Sequence, residues 1–234
     1  MSNKRYKKIT VVIPSEKTYE EKEEFINHVK NTAGVPVDLV FVGSNKTSLT
    51  TVYQNNLDNS DNEIIVFMHD DIEFLKNGWG IEIIDIFSNN TQFGIIGVAG
   101  SREYGVDNEM AWWRYNNKRG LIFHGDENYS WLTFCSDYNF KSKVSEVVVV
   151  DGVFMAVNRE KIEYNFDEDI PGFHFYDIDF CLANFLSRRC KIGVTDRICI
   201  RHRSIGKTND AWLENGKLIF EKYKNNFPLK TFGK

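Results

Sequence analysis

The segment Ile64-Ile65-Val66-Phe67-Met68-His69-Asp70-Asp71 passes from five apolar residues directly into three polar ones. An apolar run without alternation predicts a strand buried on both faces, as in a parallel sheet. Its polar ending falls at the strand's carboxyl end, where open α/β sheets bind ligands. Adjacent carboxylates repel unless something cationic compensates them. A hard divalent ion, Mg²⁺ or Mn²⁺, shared with ligand phosphates would do so. The plainer reading is that Asp70 and Asp71 open a solvated turn or cap the next helix.

Working outward, residues 9–13 are β-branched and stopped by Pro14, predicting a first strand. Thr18 and Glu21 form a capping box for a helix whose apolar face carries Phe25, Ile26 and Val29. His28 on that helix is expected to face solvent. Residues 37–42 read as a strand, 49–56 as a short helix, 79–87 as a helix and 94–98 as a strand. The order βαβαβαβ predicts an open, mostly parallel α/β sheet flanked by helices. Residues 101–142 carry many aromatics without period, which predicts a long functional loop region. Beyond it, 144–150 and 153–157 read as strands. Residues 176–189 form an amphipathic helix, with Ile178, Cys181, Leu182, Phe185 and Leu186 on one stripe. Short strands at 191–194 and 197–200 and a closing helix at 209–225 complete a single domain, 1–234.

The chain has 234 residues, 42% hydrophobic and 26% charged, a globular balance. Its net charge of −4 argues against nucleic acid as a partner. An anionic ligand would need a metal ion, a few basic side chains or backbone amides. The four cysteines form no C-x-x-C pair, which argues against a zinc site and a disulfide scaffold. Cys181 and Cys199 read as core thiols, and the expected setting is cytoplasmic. No apolar stretch approaches the roughly 18 residues of a membrane span.

Two further segments carry candidate chemistry. In Phe173-His174-Phe175-Tyr176-Asp177-Ile178-Asp179, helical spacing puts Asp177 and Asp179 on opposite sides of the apolar stripe. Either could be a carboxylate base, and both could simply favour the helix dipole. Arg201-His202-Arg203-Ser204-Ile205-Gly206-Lys207 follows a strand. Its imidazole can ligate Mn²⁺ and its cations can pair with phosphate; a basic surface turn is the alternative. Trp112, Trp113, Tyr129 and Trp131 offer either stacking surfaces for a ligand or core packing.

These segments, in the order IVFMHDDIEF, IIGVAGS, VVDGVFMAVNRE, FHFYDIDFCLA and RHRSIGK, resemble the glycosyltransferase-2-like group with the GT-A fold, over residues 9 to 207. Among its members the chain looks closest to small bacterial stand-alone enzymes. Val52-Tyr53-Gln54-Asn55 resembles the segment preceding that group's acidic DxD-type motif. The resemblance implies Asp71 and His202 as metal ligands and Asp70 as a contact to ribose or donor sugar. Pro14, Ser15 and Tyr53 would lie near the nucleotide, and Gly152 where a small residue admits donor or acceptor. Arg203 and Lys207 would meet phosphate. Asp177 falls on the acid of the group's Glu-Asp pair, with Asp179 left open. The chain departs from the pattern where His69 replaces the first acid and Tyr176 the usual Glu.

The implied activity is metal-dependent, inverting transfer of a sugar from a nucleotide-diphosphate donor, with a UDP-sugar the first choice. The acceptor would be a glycan, glycolipid or glycoprotein in surface glycan synthesis, with the enzyme cytoplasmic or peripheral at the inner membrane face. Residues 1–100 would form the nucleotide-sugar half and 101–234 the acceptor and catalytic half. A nucleotidyltransferase would need a Gly-rich basic loop after strand one, where this chain has Ser15-Glu16-Lys17-Thr18. A non-catalytic sugar- or nucleotide-binding protein would not need to keep its acids.

Overall fold

A computed structural model describes residues 8–106, 110–126, 128–135, 144–204 and 208–231. The first half runs β1 (Ile9–Pro14), α1 (Tyr19–Ala33), β2 (Val37–Val42), α2 (Leu49–Asn59), β3 (Ile64–Met68), β4 (Ile72–Phe74), α3 (Trp79–Asn89) and β5 (Phe93–Gly97). Short strands β6 (Ala99–Ser101) and β7 (Glu103–Tyr104) follow, then β8 (Lys118–Gly125), β9 (Ser130–Cys135), β10 (Ser145–Val147), β11 (Val149–Val150) and β12 (Phe154–Asn158). The chain closes with α4 (Tyr176–Ser187), β13 (Lys191–Val194), β14 (Ile200–His202), α5 (Asp210–Tyr223) and β15 (Leu229–Lys230).

The central sheet has seven strands in the order β10-β13-β5-β12-β3-β1-β2. The strands β2, β1, β3, β5 and β13 share one direction, while β12 and β10 are reversed. All five residues of β3 are buried, as its unbroken apolar run predicts. Helix α1 starts at the expected capping box: the Glu21 amide donates to Thr18 Oγ1 and the Thr18 amide to Glu21 Oε2. It ends at Gly34, whose φ of 73° is the left-handed conformation that favours glycine at a helix end. Among the described residues no helix is long and apolar enough to cross a membrane.

Several expectations are corrected. The region read as a long loop contributes β8, β9 and the end of β6 to a second sheet, β11-β6-β8-β14-β4, in which β9 pairs with β8. The β8–β9 hairpin closes at Asp126, whose Oδ1 accepts from the amides of Asn128 and Tyr129 at 2.9 Å each. Strand β8 shows no apolar alternation: Arg119 and Gly120 are both buried, while Leu121 and Phe123 are only partly buried. The run 144–150 is two strands: β10 edges the central sheet, and β11 joins the second. A stretch of valines buried throughout carries no signal of where it changes partner. The strand expected at 197–200 lies at Ile200–His202, so His202 is a strand residue. His28 does not face open solvent: its Nε2 accepts from the Phe74 amide at 3.0 Å and its ring stacks on Phe74.

Cys181 is fully buried, Cys199 is only partly buried and precedes β14, and Cys181, Cys190 and Cys199 are free thiols.

Candidate functional site

Register brings the separated segments together. Strand β12 runs antiparallel to β3 with Phe154 opposite Met68, so the residues before β12 lie beside those after β3. The His69 amide accordingly donates to the Val153 carbonyl at 3.1 Å. Strand β14 runs antiparallel to β4 with His202 opposite Ile72, and the Arg203 amide donates to the Asp71 carbonyl at 3.0 Å. On its other side His202 stands level with His124 of β8. Helix α4 then lays its first turn over the β11–β12 turn, where the Gly152 amide donates to Asp177 Oδ2 at 2.7 Å.

The result is a cleft of about 610 Å³ whose wall includes His69, His202, Asp151, Gly152 and Asp177. Trp112, Trp113 and Trp131 line its far side, with Arg114, Lys118 and Arg119 beside them. Trp113 and Trp131 remain 41% and 37% exposed, with Trp131 stacked on His124 and Trp113 against Trp112 and Trp212. Tyr129, 72% exposed, stands outside this wall.

His69, Asp71 and His202 each offer a ligating atom, and these atoms lie within 4.8 Å of one another. Asp71 Oδ1 is buried without a well-directed hydrogen bond, although His202 Nε2 stands 3.3 Å away. A buried carboxylate oxygen clustered with two imidazoles is a donor set that fits a divalent cation. Burial works against the Asp71 charge, but the His202 imidazole outweighs it, with His69 and the Ser204 hydroxyl assisting, and holds that carboxyl well below the usual range. Burial also opposes the His202 charge, yet contact with Asp71 and the field of Asp151 raise it. His69 is lowered, first by burial and then by His202.

Asp177 behaves oppositely to Asp71. Desolvation and the neighbouring Asp151 carboxylate push it up to about 7, against the amide hydrogen bonds from Gly152 and Ile178. Asp151 is a site residue that sequence reading passed over as part of a turn. The available signal was the one used at residue 69: an apolar strand, here Val147–Val150, ending in an acid.

Asp179 is only 2% exposed and is absorbed by α5: Lys222 Nζ donates to its Oδ1 at 2.7 Å and Tyr223 Oη at 2.9 Å. Tyr53 is fully buried among Phe67, Phe166 and Tyr176, so it is a core residue and not part of the cleft wall. Pro14 ends β1, and the hydroxyl of Ser15, which follows it, donates to Asp70 Oδ2. Lys22 Nζ meets the same oxygen at 3.1 Å, a partner that the sequence did not reveal. Asp70 is thereby tied to Ser15 and to α1, apart from the His69–Asp71–His202 cluster. Gly152 lines the cleft, but the space a side chain would take is filled by Tyr176: a Cβ there would sit 2.1 Å from Tyr176 Oη. Arg203 reaches Glu73 at 3.4 Å and shares that carboxylate with Arg201. Lys207 lies outside the described residues.

A family model described as "Glycosyltransferase like family" matches residues 8–227. The chain belongs to this glycosyltransferase family. Its fold is the GT-A fold. The glycosyltransferase chain is similar to GalNAc-T7 solved with UDP, GalNAc and Mn²⁺, with a TM-score of 0.57 at 9% identity, covering 97% of this chain and 50% of that one. It is also similar to the mannosyltransferase PcManGT from Pyrobaculum calidifontis solved with GDP-Man and Mn²⁺, with a TM-score of 0.52 at 9% identity, covering 92% and 62%. The glycosyltransferase chain thus spans about half the length of the first and under two thirds of the second. No curated protein sequence matches it.

Proposed function

We propose that this glycosyltransferase moves a sugar from a nucleoside-diphosphate donor to an acceptor hydroxyl, with a divalent cation and with inversion at the anomeric carbon. The observation that supports it most is the shared cleft, whose wall carries Asp177 together with His69 and His202, the two imidazoles grouped with Asp71. Asp71 and His202 would hold the ion, Mn²⁺ or Mg²⁺; both structural relatives were solved with Mn²⁺. When bound, such an ion supplies Lewis-acid stabilisation of the charge on a departing diphosphate.

In this reading Asp177 is the base. A carboxylate raised to about 7 is matched to proton transfer near neutral pH, help usually worth about 10²–10⁴-fold. It takes the acceptor's hydroxyl proton as that oxygen bonds to the anomeric carbon. The bond from that carbon to the diphosphate oxygen breaks on the opposite face. Asp151 keeps the base's affinity for the proton high. Pro14, Ser15 and Asp70 hold the nucleoside side, with a UDP- or GDP-sugar as donor. Arg203 and Lys207 meet phosphate, and the Gly152 backbone lies against the transferred sugar. Trp112, Trp113 and Trp131 stack on acceptor rings of a glycan, glycolipid or glycoprotein. One domain would then divide its work between a donor half, 1–100, and an acceptor half, 101–234.

The test is a thermal-shift series with UDP and GDP, each with and without Mn²⁺, since a ligand selective for the native state raises apparent stability. The expected result is a shift from one nucleotide only when Mn²⁺ is present, absent in Asp71→Ala. Equal shifts without metal, or in Asp71→Ala, would reject the assignment.

A further inference from the structure

The two positions at which this chain departs from the motif pattern, His69 and Tyr176, touch each other. His69 Nε2 and Tyr176 Oη are 3.0 Å apart, although 107 residues separate them. The tyrosine is held from several sides. Its ring is 3% exposed, packs edge-on against Tyr53 with centroids 5.3 Å apart, and its hydroxyl fills the space left by the absent side chain of Gly152. The imidazole it meets supplies one of the three clustered ligating atoms, its ring 5.6 Å from that of His202. Neither hydroxyl nor imidazole is needed to pack a core at this point. Phenylalanine would fill the same volume, so the hydroxyl is present for the hydrogen bond it makes with His69.

We propose that Tyr176 is a positioning residue for the metal site, its hydroxyl fixing His69 as a third protein ligand, so that two imidazoles and one carboxylate select a transition-metal ion over Mg²⁺. The inference rests on the metal-dependent reading above and goes beyond it in ligand set and ion preference. A ligating imidazole typically donates its other ring N–H to an oxygen acceptor, which fixes both tautomer and ring plane. Here the acceptor is Tyr176 Oη: with Nε2–H donating to it, the Nδ1 lone pair is the one left for a cation. Mg²⁺ prefers oxygen ligands in strict octahedral geometry and sheds water reluctantly, whereas first-row transition ions accept imidazole nitrogen more readily, Mn²⁺ least among them, so Mn²⁺ against Mg²⁺ is the stringent comparison. The plain structural alternative is that Tyr176 only packs and His69 only satisfies its hydroxyl.

The experiment titrates Mn²⁺ and Mg²⁺ separately into the full chain by calorimetry, with melting in EDTA to verify folding. The parent should bind Mn²⁺ more tightly than Mg²⁺. Tyr176→Phe should weaken Mn²⁺ binding by about 10–100-fold, the usual effect of losing such a supporting bond, with Mg²⁺ affected less. His69→Ala should lose at least as much, and adding Tyr176→Phe to it should cost nothing more, the signature of a single coupled pair. Spin-echo modulation of bound Mn²⁺ should show two imidazole nitrogens in the parent and one in His69→Ala, a reading independent of how Tyr176→Phe folds. Unchanged Mn²⁺ affinity in Tyr176→Phe, equal losses with and without His69, or a single imidazole in the parent would overturn the proposal while leaving metal dependence intact. A parent that binds no Mn²⁺ would overturn both readings.

Discussion

The Gly152 amide and Asp177 Oδ2 stand 2.7 Å apart, joining the turn before β12 to the first turn of α4. This bond holds a carboxylate at the cleft wall. Against the same turn, Tyr176 Oη occupies the space that a side chain at residue 152 would take. Helix, turn and His69 are therefore one mechanical unit, and the variants below separate its parts.

Gly152→Ala places a methyl group where Tyr176 Oη now sits. Overpacking of this kind costs about 1–3 kcal/mol, and displacement of the ring would also break its contact with His69. The expected outcome is a lower melting temperature in EDTA together with weaker Mn²⁺ binding. Combining it with Tyr176→Phe, which removes the clashing oxygen, should recover part of the stability.

Asp177→Asn should keep nucleotide binding and lose transfer. In the parent, the transfer rate should rise with pH through about 7 as this carboxyl ionises. Stability should move the other way. The folded-state value lies above the unfolded value of about 3.9, so the folded protein binds the proton more tightly. That contribution is complete below about pH 4 and is lost as pH rises through about 7. Melting at pH 5 and pH 8 should therefore show Asp177→Asn gaining stability relative to the parent at the higher pH.

Asp179→Ala removes a buried acceptor of two hydrogen bonds from α5. The expected loss is about 2–4 kcal/mol of stability by denaturant melting. Metal-dependent nucleotide affinity should be unchanged below the melting transition. A variant that folds as well as the parent but cannot transfer sugar would move the base from residue 177 to 179.

Tyr53→Phe tests the core placement of a residue whose motif suggested nucleotide contact. Its hydroxyl is buried without a well-directed partner, and burial drives its ionisation far above the usual phenol range. Removing an unsatisfied buried hydroxyl should leave stability unchanged or raise it by about 1–2 kcal/mol. Nucleotide affinity should not change; a loss of tenfold or more in thermal-shift titration would return Tyr53 to the binding surface.

What local pattern could carry was legible in the chain. The run Ile64–Met68 became a central strand because five consecutive apolar residues can be satisfied only by burial on both faces. His69, the first residue of its polar ending, lies at the cleft wall because strand ends are where ligands bind in open α/β sheets. Helix α1 was announced by its capping box, and α4 by its apolar stripe. Strands β6, β8, β9 and β14 were hidden or misplaced because they are short or carry no clean alternation, as in β8, where Arg119 and Gly120 are buried side by side, and because the pairing of β8 with β14, more than 70 residues away, leaves no local mark.

The sequence by itself determined that acids and imidazoles would stand at strand ends and at the start of a helix on an α/β scaffold. It left Asp177 and Asp179 equivalent, since helical spacing places them on two sides of a stripe without saying what lies on either side. Only the tertiary structure decided between them: α5 closes over Asp179 with Lys222 and Tyr223, while the β11–β12 turn presents Asp177 to the cleft. It also showed that His69 and Tyr176 are partners. The physical reason is the same in both cases: direction within an element is set locally by backbone geometry, whereas the identity of the opposing group is set by strand register and helix packing across the whole chain.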